Sequence, residues 1–268
     1  MVPGNTNLSL KPRLDQMIMS NENELKVVIV LPAYNASKTL LRTLAEIPPK
    51  FSKHIILVDD ASSDDTVAVA KGIGLRVFQH DKNKGYGANQ KTCYKEALKM
   101  GADIVVMVHP DHQYDASVIP ELVQPIKEKV ADAVFGSRML GGHPLEGGMP
   151  WWKYIANIFL TAFANVSFGR YLTEIHSGFR AYSRKYLETV QFEDNSDDFV
   201  FDTEMIAQGM SCKLFFREIP VDTRYFPEAS SISFSRSVIY GIGIMIVLFR
   251  YILHQSGVWN FQQYKPIK

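Results

Sequence analysis

In the stretch HIILVDDASSDDT, residues 54–66, an apolar run ends abruptly in two adjacent carboxylates, Asp59 and Asp60. His54–Val58 is short and rich in β-branched residues, the pattern of a strand buried on both faces. Behind it, Ser62, Ser63, Asp64 and Asp65 precede Thr66–Ile73, whose apolar spacing is helical. Short oxygen-bearing side chains accept from the unpaired N–H groups of a helix start, so Asp64 or Asp65 is expected to cap this one. The unit is strand, acidic turn, helix.

The same unit recurs on either side. Further strand-like runs are Lys26–Leu31 (KVVIVL), Leu75–Phe78 (LRVF), Ile104–Val108 (IVVMV) and Ala133–Phe135 (AVF), with helical spacing over Ala88–Met100 and Ser117–Val130. Near-continuous apolar strands alternating with helices predict an α/β fold: a mostly parallel central sheet flanked by helices on both faces. Ligands of such sheets sit beyond the carboxyl ends of the strands. The residues expected there are Pro32-Ala33-Tyr34-Asn35, Asp59-Asp60, Asn83-Lys84-Gly85-Tyr86-Gly87 and His109-Pro110-Asp111-His112-Gln113. Polar, acidic turns gathered at one sheet edge suit a ligand with hydroxyls, phosphates and a bound cation. Gln90 stands where a dinucleotide fingerprint would place its third glycine, and no G-x-x-x-x-G-K-[ST] occurs.

Composition removes other classes. With 268 residues, 46% apolar and 21% charged, the chain is an ordinary globular one with ample material for a core. A net charge of +1 supplies no general attraction to nucleic acid. Two cysteines, Cys93 and Cys212, make neither a disulfide framework nor a cysteine zinc cluster, which suits a reducing cytosol. Residues 1–25 lack a signal-peptide apolar region and are expected to be a loose leader. One α/β domain is expected over residues 26–230, with an apolar C-terminal helix and tail over 231–268.

Two apolar segments bear on membranes. Val238–Phe249 (VIYGIGIMIVLF) is uncharged, and even sixteen helical residues reach only about 24 Å against about 30 Å of hydrocarbon. A buried terminal helix and an interfacial anchor edged by Arg236, Arg250 and His254 both fit better than a span. In Met149–Tyr171, Lys153, Asn157, Thr161 and Asn165 form one polar stripe on an otherwise apolar, aromatic helix. That helix either packs into the core or faces lipid, with Trp151 and Trp152 at headgroup level. The Gly141-Gly142 and Gly147-Gly148 pairs before it suggest a loop able to move over the site.

The order PAYN, VDDASSDDT, NKGYGAN, HPDHQ, GSR and HSGFRAY resembles glycosyltransferase family 2, in particular its dolichol- and polyprenyl-phosphate sugar transferases. The resemblance runs from about Val27 to about Glu228. It implies a GT-A fold, a nucleotide-sugar donor, a divalent cation (Mn²⁺ or Mg²⁺) and inversion at the anomeric carbon. By that resemblance Pro32, Ala33, Tyr34 and Asn35 line the nucleoside pocket, although Ala36 replaces a usual glutamate. Asp59 and Asp60 would hold the nucleoside base, and Gly85 and Gly87 would lie along the donor. The family's D-x-D-x-Q becomes His109-Pro110-Asp111-His112-Gln113, so Asp111, Gln113 and His109 are the expected metal ligands, with His109 and Pro110 also near the nucleotide. Glu174, Ser177 and Gly178 fall where the acceptor or its phosphate would bind. Arg138 closes the G-S-R motif, Arg180 follows Gly178, and Glu204 matches an acid on a later helix.

Elementary chemistry gives these residues work. Asp111 offers a hard oxygen to a cation that takes up charge on the departing diphosphate. His109 in place of an acid lowers the site's negative charge and adds a nitrogen, which tilts it toward Mn²⁺ or turns His109 to phosphate. Arg138 and Arg180 are phosphate-gripping candidates. A hydroxyl acceptor needs a base, for which Asp198 and Glu204 are the nearest acids, whereas a lipid phosphate is already anionic and attacks unaided. The expectation is an inverting glycosyltransferase acting on a polyprenyl-phosphate or other lipid-linked or glycan acceptor, touching the cytoplasmic face of a membrane peripherally and binding no nucleic acid. The competing readings are a catalytically silent domain that binds a nucleotide sugar as a scaffold, and a nucleotidyltransferase, which would release pyrophosphate.

Overall fold

The computed structural model describes residues 25–141, 144–225 and 234–267. The expected leader over residues 1–25 lies almost wholly outside them. Strands β1 (Val27–Ala33), β2 (Ile55–Asp59), β3 (Arg76–Gln79), β4 (Ile104–Met107), β5 (Ala133–Ser137), β6 (Arg180–Ser183) and β7 (Phe216–Pro220) form one seven-stranded sheet in the order β3-β2-β1-β4-β6-β5-β7. β6 alone runs against its neighbours; the other pairings are parallel. The five expected strands are present, and β6 and β7 are additional. Because β6 is reversed, the loop that enters it, 173–179, reaches the same edge as the exits of β4 and β5. That single reversal brings His176, Ser177 and Gly178 beside His109 and Arg138.

Alternate residues of a strand face opposite sides of the sheet, and β1 feeds two separate cores. Val28 and Val30 enter one with Ile56, Val105, Tyr94 and Phe135, while Ile29 and Leu31 enter the other with Leu57, Val106, Leu122 and Phe179. Helices α1 (Leu40–Glu46), α2 (Thr66–Gly72), α3 (Tyr86–Lys99), α4 (Ile119–Lys127), α5 (Trp151–Phe168), α6 (Arg184–Thr189), α7 (Phe201–Ser211) and α8 (Phe234–Gln255) cover the two faces. At the start of α2 it is Asp64 that accepts from the Thr66 N–H, at 3.0 Å; Asp65 makes no cap bond.

Helix α5 buries polar and apolar groups together on its inward side. Its polar stripe turns inward: Asn157 and Thr161 are buried, and Asn165 exchanges two hydrogen bonds with the Leu172 backbone. Ile155, Ile158, Phe159 and Val166 point outward, Val166 being 82% exposed. The core-packing reading holds for one side, where Ala164 and Phe168 are buried in the core with Leu160 and Phe163 against it, while Ile155, Ile158, Phe159 and Val166 stay exposed.

Helix α8 has 22 residues, about 33 Å, so it is longer than the sequence run suggested. By length and composition Arg236–Gln255 suffices to cross a membrane, with a mean hydropathy of 1.7. It carries two apolar stripes. Ile244, Val247, Leu248 and Tyr251 are buried against the domain, whereas Ile239, Ile242, Ile246 and Phe249 face out. Both ends are tied to the same body. Tyr240 borders the cavity described below, and the tail folds back: the Tyr264 hydroxyl donates to the Val247 carbonyl at 3.1 Å, and Ile267 N–H donates to the Thr189 carbonyl at 2.9 Å. The C-terminal segment is thus packed onto the α/β body.

Candidate active site

At the strand exits lies a cavity of about 240 Å³. Its floor comes from His109, Asp111 and Gln113 after β4, Arg138 after β5 and Gly178 before β6. Its roof is the inward side of α5, with Trp152, Lys153, Asn157 and Leu160, closed by Tyr240 of α8. Phe199 and Asp202, at the start of α7, complete one wall.

On the floor, the Tyr86 hydroxyl donates to Asp202 Oδ2 at 2.9 Å and lies 3.3 Å from His109 Nε2, with the two rings stacked 5.5 Å apart. The hydroxyl has one proton and Asp202 takes it, so the bond to His109 requires a proton on Nε2. That leaves the Nδ1 lone pair for a ligand. Burial pushes the His109 imidazole below its ordinary value, against the opposing pull of Asp111 and Asp202, and keeps it neutral. Burial and the Asp202 charge hold the Tyr86 phenol well above its ordinary range, so it stays a donor.

Arg180 is not at this surface. Its guanidinium is fully buried, donating to the carbonyls of Ser177 at 2.6 Å, Ile175 at 3.0 Å and Asp202 at 3.3 Å, and it sits 4.8 Å from the Phe135 ring centroid. The phosphate role expected of it is corrected: every face of the group is already used, and it serves to offset the Asp202 carboxylate 3.5 Å away. Ser177 is buried too, its hydroxyl accepting from the Phe179 N–H.

Arg138 does reach the cavity. Its Nε donates to Glu174 Oε1 at 2.8 Å, its backbone N–H to Oε2 at 2.8 Å, and Nη1 to the Tyr225 hydroxyl at 2.9 Å. Glu174 is fully buried and also accepts from Asn157 Nδ2 at 2.7 Å. Burial works against its charged form, but Arg138 beside it and these hydrogen bonds hold the carboxyl below the ordinary range. A buried anion so placed does not bind another anion. The expectation of Glu174 as a phosphate contact is replaced by a positioning role for Arg138. Glu218 secures the arrangement by accepting from Thr173 N–H at 2.8 Å and Glu174 N–H at 3.0 Å.

The nucleoside side differs from expectation in detail. Pro32 and Ala33 are buried within β1, and Pro110 is buried with its carbonyl held by the Thr39 hydroxyl at 2.6 Å, so they shape walls. Asp60 accepts from Lys84 N–H at 2.8 Å and Gly85 N–H at 2.9 Å, and pairs with His80 Nδ1 at 2.7 Å. Asp59 is buried and bound to Ser62. Both acids help to fold the loops here. Gly85 and Gly87 likewise lend no N–H to a phosphate, because Gly87 donates to the Asp197 carbonyl at 2.8 Å. They are glycines because the 196–197 backbone passes against them: a Cβ on Gly85, at φ +103°, would meet the Asp197 oxygen at 2.5 Å. Tyr34 and Asn35 remain exposed, Asn35 at φ +52° and clasped to Ser63 N–H at 2.9 Å.

Of the two proposed bases, neither lines the cavity. Glu204 accepts from the Ser196 N–H at 2.6 Å and from Gln263 at 3.2 Å, and Asp198 is exposed and turned to the Phe199 N–H. Asp202, two residues before Glu204, points the other way on α7 and takes the place in the wall. Tyr86, His176 and Tyr225 were not given roles from the sequence, although Tyr86 and His176 lay inside recognised motifs; Lys153 was noted only as part of the polar stripe, and nothing local marked Tyr225.

The donor set accommodates a nucleotide-dependent cation. Among the described residues no group of three or more His, Cys, Asp or Glu side chains is arranged to hold a metal alone. Asp111 and His109 nevertheless share one cavity, and Mg²⁺-type ions at nucleotide sites take one or two protein ligands and fill the rest with phosphates and water.

Comparison with known proteins agrees with this geometry. The family model described as glycosyl transferase family 2 matches residues 28–191. An uncharacterized protein of Methanocaldococcus jannaschii is 30% identical over 89% of this chain and 96% of its own length. The UDP-N-acetylglucosamine–dolichyl-phosphate N-acetylglucosaminyltransferase of Methanococcus voltae is 27% identical over 74% of this chain and 86% of its own. Among solved structures, glucosyl-3-phosphoglycerate synthase from Mycobacterium tuberculosis, in complex with Mg²⁺ and uridine diphosphate, superposes with a TM-score of 0.66 over 94% of this chain and 85% of that one, at 17% identity. The last likeness confirms the GT-A-like fold.

Proposed function

The chain belongs to glycosyltransferase family 2, and on that footing we propose that it transfers a sugar, with inversion, from a nucleoside-diphosphate sugar to a polyprenyl-phosphate acceptor at a membrane surface. One observation carries this reading. A single cavity joins the strand-end acid Asp111 to Arg138 beneath two helices, α5 and α8, whose outer faces are apolar. A donor diphosphate belongs at the Asp111 end and an anionic acceptor at the Arg138 end, with the lipid leaving between the helices. The methanogen dolichyl-phosphate transferase named above is consistent with that acceptor.

A divalent cation, when bound, would neutralise charge on the departing diphosphate, and Asp111 with His109 Nδ1 would hold it. The rest is the protein's own work. Asp111 and the Tyr86–Asp202 pair fix the floor, and Arg138, locked by Glu174 and Tyr225, orients the acceptor phosphate in line with the anomeric carbon. Asp202 and Glu174 are each held by a buried arginine, and burial pushes His176 down to about 4. Groups so engaged are poor bases, which favours an acceptor that is already anionic at neutral pH.

The outward faces support membrane contact. Ile242, Ile246, Phe249 and Trp259 line one apolar surface, and Phe159, 64% exposed, and Ile239, 66% exposed, stand outward on the same two helices, α5 and α8. Exposed patches of this extent mark interaction sites. The packing of α8 and of the tail behind it on one body supports a helix that lies in the interface, as in a peripheral enzyme of the cytoplasmic face.

The test is a thermal-shift series of uridine, guanosine and thymidine diphosphate sugars with and without Mn²⁺, followed by assay of released nucleotide. One nucleotide should stabilise the protein only with the cation and be released as its diphosphate when a short polyprenyl phosphate is added. Binding without release would favour a silent scaffold, and release of pyrophosphate would favour a nucleotidyltransferase.

A further inference from the structure

Charge is spread unevenly along this chain. Between Glu146 and Glu174, and again after Glu228, the sequence has six Lys or Arg and no acid. With 29 basic and 28 acidic residues in all, the remainder carries a net charge of −5. The two acid-free stretches are those that form α5 and α8, the helices with apolar outward faces. All three tryptophans fall in them as well, and Trp151 and Trp259 are 69% and 62% exposed. Tryptophan, with an apolar body and one polar N–H, favours the boundary between lipid and water. The cations stand at the two ends of the helix pair. Phe168 of α5 packs edge-on against Tyr251 of α8, ring centroids 5.0 Å apart, so Arg170 and Arg250 emerge at one end. At the other end Lys153 and Ser237 border one cavity, and Arg236 adjoins Ser237 in the chain. Arg170, Arg236 and Arg250 are exposed, and among the described residues none of the four cations pairs with a carboxylate. Arg250 also lines the apolar groove beside Phe163 and Trp259, where its methylenes can lie on apolar surface while its charge reaches outward.

We propose that this face is a docking surface selective for an anionic bilayer: its apolar middle enters the acyl boundary, and Arg170, Arg250, Arg236 and Lys153 meet the headgroup charge at either end. The inference rests on the membrane contact read above and deepens it by naming the lipid charge that the surface selects. Negative headgroups attract basic residues within a Debye length of the surface, and the attraction adds to the burial of an apolar helix face. The rest of the chain, being net negative, is repelled by the same membrane, so charge orients the domain as well as holding it. A second copy of the chain suits the face poorly. A two-fold pairing sets the same patch against itself, and here that brings cations toward cations with no acid between them.

The experiment uses the full chain with vesicles of phosphatidylcholine alone, or with about 30 mol% phosphatidylglycerol, and reads flotation and tryptophan emission. Anionic vesicles should bind about tenfold or more tighter than neutral ones, and the preference should shrink as salt rises from about 0.05 M to about 0.5 M. Emission should shift to the blue on binding, because every tryptophan of the chain belongs to this face. Arg170→Gln with Arg250→Gln should lower affinity for anionic vesicles about tenfold or more. Lys71→Gln with Lys127→Gln, on the helices α2 and α4 that pack into the other core, should not. Turnover of citronellyl phosphate without vesicles should be unchanged in both pairs, and it tests the transfer reaction separately. Equal affinity for the two kinds of vesicle, or equal losses in the two pairs of variants, would overturn the anionic surface and leave membrane contact standing. Binding to neither vesicle, with a concentration-dependent dimer in sedimentation, would give the face to a second copy and overturn the proposal. If no phosphate is glycosylated while anionic vesicles are still selected, the docking surface stands and the assigned reaction fails.

Discussion

Gly178 lies directly under His109: a Cβ built on Gly178 would come within 2.6 Å of the imidazole Nε2 and 2.8 Å of its Cδ2. The glycine leaves room for a ring where the family motif has a smaller acid. Gly178→Ala should push the imidazole off Tyr86 and lower kcat about tenfold. The double variant with His109→Ala should be no worse than His109→Ala alone, because the two losses share one cause. Steady-state kinetics of the four proteins checks this; additive losses would separate the residues.

The buried Arg138–Glu174 pair gives a second prediction. Glu174→Gln leaves a buried guanidinium uncompensated and should destabilise by about 3–5 kcal/mol. Replacing both, as Arg138→Met with Glu174→Leu, should regain most of that stability yet abolish transfer. Urea denaturation and product assay together separate the two effects. Since the Glu174 carboxyl titrates lower in the folded protein than in the unfolded chain, its stabilisation is present above about pH 4.3 and is lost as pH falls through the folded value.

His176 predicts a different acid window. Burial, assisted by Arg138 and Arg180 against the pull of Glu174, pushes its imidazole down to about 4, whereas in the unfolded chain it titrates near 6.5. Between those values the unfolded chain binds a proton that the folded protein refuses. Stability should fall by about 3 kcal/mol as pH drops from 6.5 to 4. His176→Gln should flatten that part of the profile, measured by urea denaturation at pH 7 and pH 4.5; an unchanged slope would show that the imidazole is charged in the fold.

The outward faces of α5 and α8 give a fourth. The triple variant Phe159→Glu, Ile239→Glu, Phe249→Glu removes apolar side chains worth about 1.5–3 kcal/mol each when fully buried in lipid. Flotation with vesicles should fall more than tenfold, with the melting temperature nearly unchanged because these side chains are exposed. Undiminished flotation would place the membrane contact elsewhere.

Much of this was legible in the sequence, for a physical reason. Strands buried on both faces read as unbroken apolar runs, so β1, β2 and β4 and the polar turns after them stood out. β6 (RAYS) and β7 (FREIP) did not, because four or five mixed residues become strands only through their neighbours. Periodicity revealed the polar stripe of α5 but not the side it faces, and that is set by Glu174 seeking Asn157 across the fold. Glycines in Gly85-Tyr86-Gly87 correctly signalled a close approach, but of the Asp197 backbone and not of a phosphate. The motif drew attention to Glu204, although two residues along a helix turn a side chain to nearly the opposite side, where Asp202 meets Tyr86. Arginine at position 180 suggested a phosphate-gripping group; its burial depends on carbonyls that only the folded loop presents.

The most direct test of the central claim is the structure of the product formed from the preferred nucleotide sugar and a polyprenyl phosphate. Mass spectrometry with anomeric NMR should find a sugar joined through its anomeric carbon to the lipid phosphate, with configuration opposite to the donor and one nucleoside diphosphate released per product. A sugar attached to a hydroxyl oxygen, or a polyprenyl phosphate recovered unmodified while the donor is consumed on another acceptor, would contradict the account.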